Sequence, residues 1–186
     1  PGEQVSGDAH VVRSTARGAL VAVIDGLGHG FYAAVASRKA CASIERWAEE
    51  PLQRQVAQCH EALASTRGVV LGIASFDAVA GSLEWVGVGN VEGVLVRRSH
   101  PNESMFSRAG VVGLRLPTIR MTARPVAPGD TLAMVKVLPE PVTPRRVEYL
   151  SCLFSLSVRS LIASGWSPHG LKSLINLNFF IISRQK

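Results

Sequence analysis

The chain has 186 residues, 47% of them hydrophobic and 18% charged. That is enough for one globular domain with a substantial core, and it excludes a disordered tail or a fibrous repeat. The net charge of +6 is uneven: residues 1–132 hold 13 Lys/Arg against 12 Asp/Glu, and residues 133–186 hold 7 against 2. No basic cluster interleaves with aromatics, so the charge offers only non-specific attraction and no nucleic-acid partner is expected. Cys41, Cys59 and Cys152 are odd in number and lack metal-ligand spacing, so they read as reduced thiols of a cytoplasmic protein. The apolar stretches 150–163 and 171–182 are broken by Arg159 or too short for the roughly 20 residues of a membrane span. The opening Pro1-Gly2-Glu3, without Met or a secretory leader, reads as a trimmed fragment.

In chain order, Ser6-Gly7-Asp8 is a turn that carries a carboxylate. Ala19–Ile24 is a continuous, β-branched apolar run bounded by Gly18 and Asp25-Gly26, which predicts a buried strand with Asp25 just past its end. The glycine-dense Gly26–Gly30 opens into a predicted helix over Phe31–Glu50, stopped by Pro51, and a second amphipathic helix follows over Leu52–Ser65. From Thr66 the period changes. Gly68–Phe76, Ser82–Val88 and Val91–Arg98 predict an antiparallel meander, with Asp77–Gly81 as a hairpin loop. Val111–Leu116 and Thr118–Ala123 are weaker strand candidates, and Pro128-Gly129-Asp130 turns into a last strand over Thr131–Val137. Beyond Pro139 the chain is basic, Leu- and Ser-rich and aperiodic.

Asp8 and Asp25 each sit in a glycine turn. A carboxylate fixed beside an exposed glycine carbonyl suits a hard cation such as Mg²⁺ or Mn²⁺. Two such ions roughly 3.5–4 Å apart can hold a hydroxide for attack on a phosphate monoester. Asp-Gly is also among the commonest turn formers, so a plain turn is the competing explanation.

As a set, Ser6-Gly7-Asp8, Leu20–Gly30, Thr66–Gly72, Trp85–Gly93 and Pro128–Leu132 resemble the PPM-type metal-dependent serine/threonine phosphatases of the SpoIIE-like, RsbX-like branch. The resemblance implies an α+β fold, a four-layer α-β-β-α sandwich of two mostly antiparallel sheets with the metal site at one end. It implies Asp25 bridging two ions, Asp8 holding a metal or its water, and the Gly26 carbonyl as a ligand. Asp8 and Asp25 would then be the catalytic pair. His29 reads either as a substrate contact or as a turn histidine, and Arg67 either as a phosphate fork or as a solvated strand-end arginine. The substrate would be a phosphorylated regulator of a stress-response sigma-factor, or stressosome, pathway.

The match stops near residue 132. In the family a further aspartate ligand follows the Gly-Asp-Thr-Leu strand, and by spacing it falls on Val137 here; no aspartate follows Asp130. Residues 1–137 thus read as a C-terminally incomplete phosphatase-like domain and 138–186 as an aberrant basic, apolar tail, as a frameshift would produce. The expectation is one weakly held Mn²⁺ or Mg²⁺ in place of two, and impaired hydrolysis. The alternatives are a non-catalytic pseudophosphatase and a non-functional product.

Overall fold

The computed structural model describes residues 5–136 and 178–182. Its first sheet is built from β1 (Asp8–Thr15), β2 (Gly18–Gly26), β3 (Val69–Asp77) and β4 (Ser82–Val88), in that spatial order. Two helices, α1 (Gly30–Arg46) and α2 (Leu52–Ala62), connect β2 to β3 and cover one face of this sheet. The second sheet uses β5 (Val91–Val96), β6 (Glu103–Met105) and β9 (Thr131–Lys136), with β10 (Asn178–Ile182) on its flank, in the order β10-β9-β5-β6. Short β7 (Ser107–Arg108) and β8 (Thr122–Pro125) both pair with β4 and complete the first sheet.

The first sheet is buried on both faces, which is why its central strands read as continuous apolar runs. Leu20, Ala22 and Ile24 of β2 pack with Leu71, Ile73 and Val86 against the helices. Val21, Val23, Val70 and Phe76 point the other way and meet Leu95, Met105, Leu132 and Met134 of the second sheet. The helix α1 face that meets the sheet is small, with Ala33, Ala36, Ser37 and Ala40 buried, so helix and sheet approach closely. Trp85 is fully buried and fills the space between the sheets. A Cβ on Gly93 would stand 3.1 Å from its ring, and its Nε1–H donates to the Phe106 carbonyl at 3.1 Å. Burying so large an indole requires both a gap to receive it and a partner for its N–H.

Several expectations change. Helix α1 ends at Arg46, four residues short of Glu50. The expected meander breaks after β4: Gly89, with φ +92°, turns the chain out of the first sheet, so β5 starts the second. Val111–Leu116 contributes only isolated bridges, and of Thr118–Ala123 only the end joins a strand, β8. Among the described residues helices cover one face only, giving helix, sheet and sheet, so the expected fourth, helical layer is not among them. The predicted Val137 end of the last strand and most of the 138–186 tail lie outside the described residues. One piece of that tail does join the fold: Asn178–Ile182 pairs in parallel with β9, from Asn178 opposite Thr131 to Ile182 opposite Val135. By that pairing it covers the edge that β9 would otherwise leave bare.

Candidate functional site

The end of the first sheet is held by short turns pressed against helix α1. Asp8 opens β1 and Asp25 nearly closes β2, and the antiparallel register places them directly opposite each other. The Asp8 N–H donates to the Ser6 hydroxyl at 3.1 Å, and the Gly26 N–H donates to the Gly7 carbonyl at 3.0 Å. The Ser37 hydroxyl of α1 donates to that same Gly7 carbonyl. A Cβ on Gly7 would come within 2.8 Å of the Ala33 Cβ, and one on Gly26 would run into the Ala33 carbonyl. Glycine at these two positions is therefore demanded by packing, whatever else the carbonyl of Gly26 does.

Like charges directly opposite across a strand pair repel, so the Asp8–Asp25 pairing needs a counter-charge. Lys136 supplies it. This lysine ends β9 in the second sheet, where it pairs with Val91, and reaches across to the first. Its ammonium makes an ion pair with Asp25 Oδ2 and lies 3.9 Å from Asp8 Oδ1. The three side chains are 27%, 14% and 21% exposed for Lys136, Asp25 and Asp8, so each is partly withdrawn from bulk water. Burial pushes the Asp25 carboxyl above the ordinary carboxylate range. The Lys136 hydrogen bond and charge oppose that shift, and the facing Asp8 adds to it.

These residues do not fit a two-metal centre. Two hard dications, each six-coordinate with waters included, bring four positive charges for protein carboxylates to answer. Here Asp8 and Asp25 are the two carboxylates brought together, and among the described residues no three His, Cys, Asp or Glu side chains cluster to hold an ion. An ammonium moreover stands on the Asp25 oxygen that a bridging role would require. Val137, where a further aspartate was expected, lies outside the described residues.

The structure brings His29 and Arg67 to the neighbouring loops. His29 is the exposed N-cap residue of α1, in extended backbone and without a side-chain capping bond. The Leu27 N–H donates to the Gly68 carbonyl at 3.0 Å, which ties the glycine loop to the start of β3 and so to Arg67. The Arg67 guanidinium lies 5.0 Å from the ring centroid of Tyr32, over Gly28. Tyr32 and Phe31, 63% and 64% exposed, meet edge to face beside it. Arg67 is thus an exposed cation that lies over an aromatic ledge at the start of β3.

Sequence reasoning missed two groups. Lys136 carried no signal, because nothing in a strand's alternation tells which lysine crosses to another sheet. The second is a network around Asp130, read only as part of a turn. Its carboxylate accepts from the Arg98 and Ala127 N–H groups, each at 3.1 Å, and from Arg97 Nη1 at 2.9 Å. Arg97 also pairs with Glu103 and donates to the Pro125 carbonyl at 2.7 Å. Although burial alone would raise it, these bonds hold the Asp130 carboxyl below its ordinary range. Asp130 therefore fastens the turn before β9, and so fixes where Lys136 ends.

Comparison with known proteins agrees with this architecture. A solved chain described as "The bacterial stressosome: a modular system that has been adapted to control secondary messenger signaling" superposes with a TM-score of 0.73 at 26% identity, covering 89% of this chain and 87% of that one. RsbX solved in complex with magnesium superposes at 0.65 with 22% identity over 69% of this chain and 65% of that one. The SiaA-PP2C domain of Pseudomonas aeruginosa superposes at 0.59 with 22% identity, over 68% and 54%. In sequence, the phosphoserine phosphatase RsbX of Bacillus subtilis (strain 168) is 27% identical over 105 residues, 56% of this chain, and the chain spans about half (52%) of that relative's length. The model of Stage II sporulation protein E (SpoIIE) matches residues 15–135, well over half of the chain. The chain belongs to the SpoIIE family of PPM-type serine/threonine phosphatases.

Proposed function

We propose that this chain is a cytoplasmic, partner-binding member of its family with little or no turnover: a pseudophosphatase that engages a serine- or threonine-phosphorylated regulator of a sigma-factor pathway. The observation that carries the reading is the ammonium of Lys136 on Asp25, at the sandwich end where family resemblance expects cations. The RsbX similarity and the stressosome-related neighbour support the choice of partner. Arg67 and the Phe31–Tyr32 ledge offer a guanidinium fork and an apolar surface to a phosphorylated segment. The hydroxide route expected of two metal ions is not assigned to this chain, since the donors among the described residues do not fit them.

One observation favours a second reading, a weak phosphatase: Asp8 and Asp25 are both kept and directly opposed. Hydrolysis of p-nitrophenyl phosphate with and without Mn²⁺, with Asp25→Ala as control, separates the two. The proposal expects no Mn²⁺-dependent turnover, and retention of the phosphorylated regulator over its unphosphorylated form in a pull-down. Mn²⁺-dependent turnover that Asp25→Ala abolishes would establish the weak phosphatase instead.

A further inference from the structure

We infer that Lys136 is a built-in counter-ion that takes the place of divalent metal, so that the fold closes its carboxylate pair without metal and excludes metal from it. The inference rests on the reading of this end of the sandwich as the family's former metal-binding end, and it deepens that reading by assigning the cation.

Three features carry it. The register of β1 and β2 leaves two carboxylates face to face, an arrangement that needs positive charge between or beside them. The ammonium that answers them is delivered by a strand and not by a loose tail: β9 pairs with β5 through Lys136 itself, and with β10 up to Val135. An ammonium has three donors and no acceptor, so it answers the carboxylates by charge and hydrogen bonding while offering a metal ion no ligand. A dication approaching Asp25 Oδ2 would meet a fixed positive charge, and like-charge juxtaposition of this kind disfavours its binding. Metal can enter only if Lys136 leaves, and leaving strands a half-buried ammonium away from both its carboxylates.

The test is a Mn²⁺ titration of the whole chain by calorimetry, with thermal melts at each Mn²⁺ concentration. The wild-type chain and Lys136→Arg should bind no Mn²⁺ in the millimolar range and melt at the same temperature with or without it. Lys136→Met, which keeps most of the stem and loses the charge, should melt lower in metal-free buffer and recover with Mn²⁺. It should bind Mn²⁺ at least about tenfold more tightly than wild type. Adding Asp25→Asn to Lys136→Met should abolish that gain. If Lys136→Met does not fold without metal, refolding it in graded Mn²⁺ gives the same readout, and Lys136→Arg remains the folded control. Wild-type chain that binds Mn²⁺ as tightly as Lys136→Met overturns the inference, and so does Lys136→Met that binds none. Failure to retain the phosphorylated regulator would overturn the partner reading while leaving this inference standing, because the titration uses no partner.

Discussion

Asp130 and Asp25 both neighbour a glycine and both meet a basic side chain, yet they sit in different electrostatic regimes. Asp130 is 4% exposed, faces an Arg97 that is 9% exposed, and accepts two backbone N–H bonds besides. Its charge is fully answered, and its carboxyl is held low. Asp25 has one lysine for a partner, faces a second carboxylate, and has its carboxyl pushed up by burial that the lysine does not offset. A desolvated carboxylate with few partners stays responsive to added charge, whereas a saturated one serves as a structural clamp. Turn chemistry alone cannot separate them; the number of donors around each oxygen does.

That contrast can be broken or sharpened by substitution. Asp130→Ala should have the largest effect, about 3 kcal/mol lost in urea unfolding, because it strands a buried guanidinium and two N–H groups. Glu103 still holds Arg97, which keeps the loss at the lower end of the range for a broken buried pair. The same clamp predicts a pH dependence. Since the folded-state carboxyl of Asp130 lies below its unfolded value of 3.8, its contribution is complete above that value and disappears as pH falls through the lower folded value. Unfolding curves of the wild-type chain and Asp130→Asn should therefore converge in strong acid. Gly26→Ala comes next, about 2 kcal/mol, from forcing a methyl group against the Ala33 carbonyl. The smallest effect is expected for Asp25→Asn, within about 1 kcal/mol of wild type in the same assay, since relief of a desolvated charge opposes the loss of a partly exposed ion pair. A loss of Asp25→Asn equal to that of Asp130→Ala would end the distinction between the two sites.

The sequence showed those parts of the molecule whose pattern is local. Ala19–Ile24 is buried on both faces and reads so, and Pro51 separates two helices whose apolar spacing is plain. Asp77 closes its hairpin as turn chemistry demands, accepting from the Val79 and Ala80 N–H groups at 2.9 and 2.8 Å. Strand β1 was hidden because it is an edge with mostly polar or exposed side chains, so neither face stands out. The division into two sheets was hidden in Gly89, since a positive φ in a glycine leaves the flanking strand patterns unchanged. At the site, Asp8, Asp25 and Gly26 were legible as turn residues, and resemblance gave them roles. Spacing drew attention to Val137, whereas the residue that faces the carboxylates is its neighbour Lys136.

The crossing of Lys136 from one sheet to the other also orders events in time. During synthesis Asp8 and Asp25 emerge with the first two strands, and Lys136 only after both helices and the rest of the first sheet. The first sheet can pair while still nascent, as local contacts form before distant ones. Its two carboxylates then remain uncompensated until β9 arrives. Pairing of β9 with β5 is therefore also the contact that brings the Lys136 ammonium to the pair, and until then the acidic end of the first sheet lacks the charge that this strand delivers.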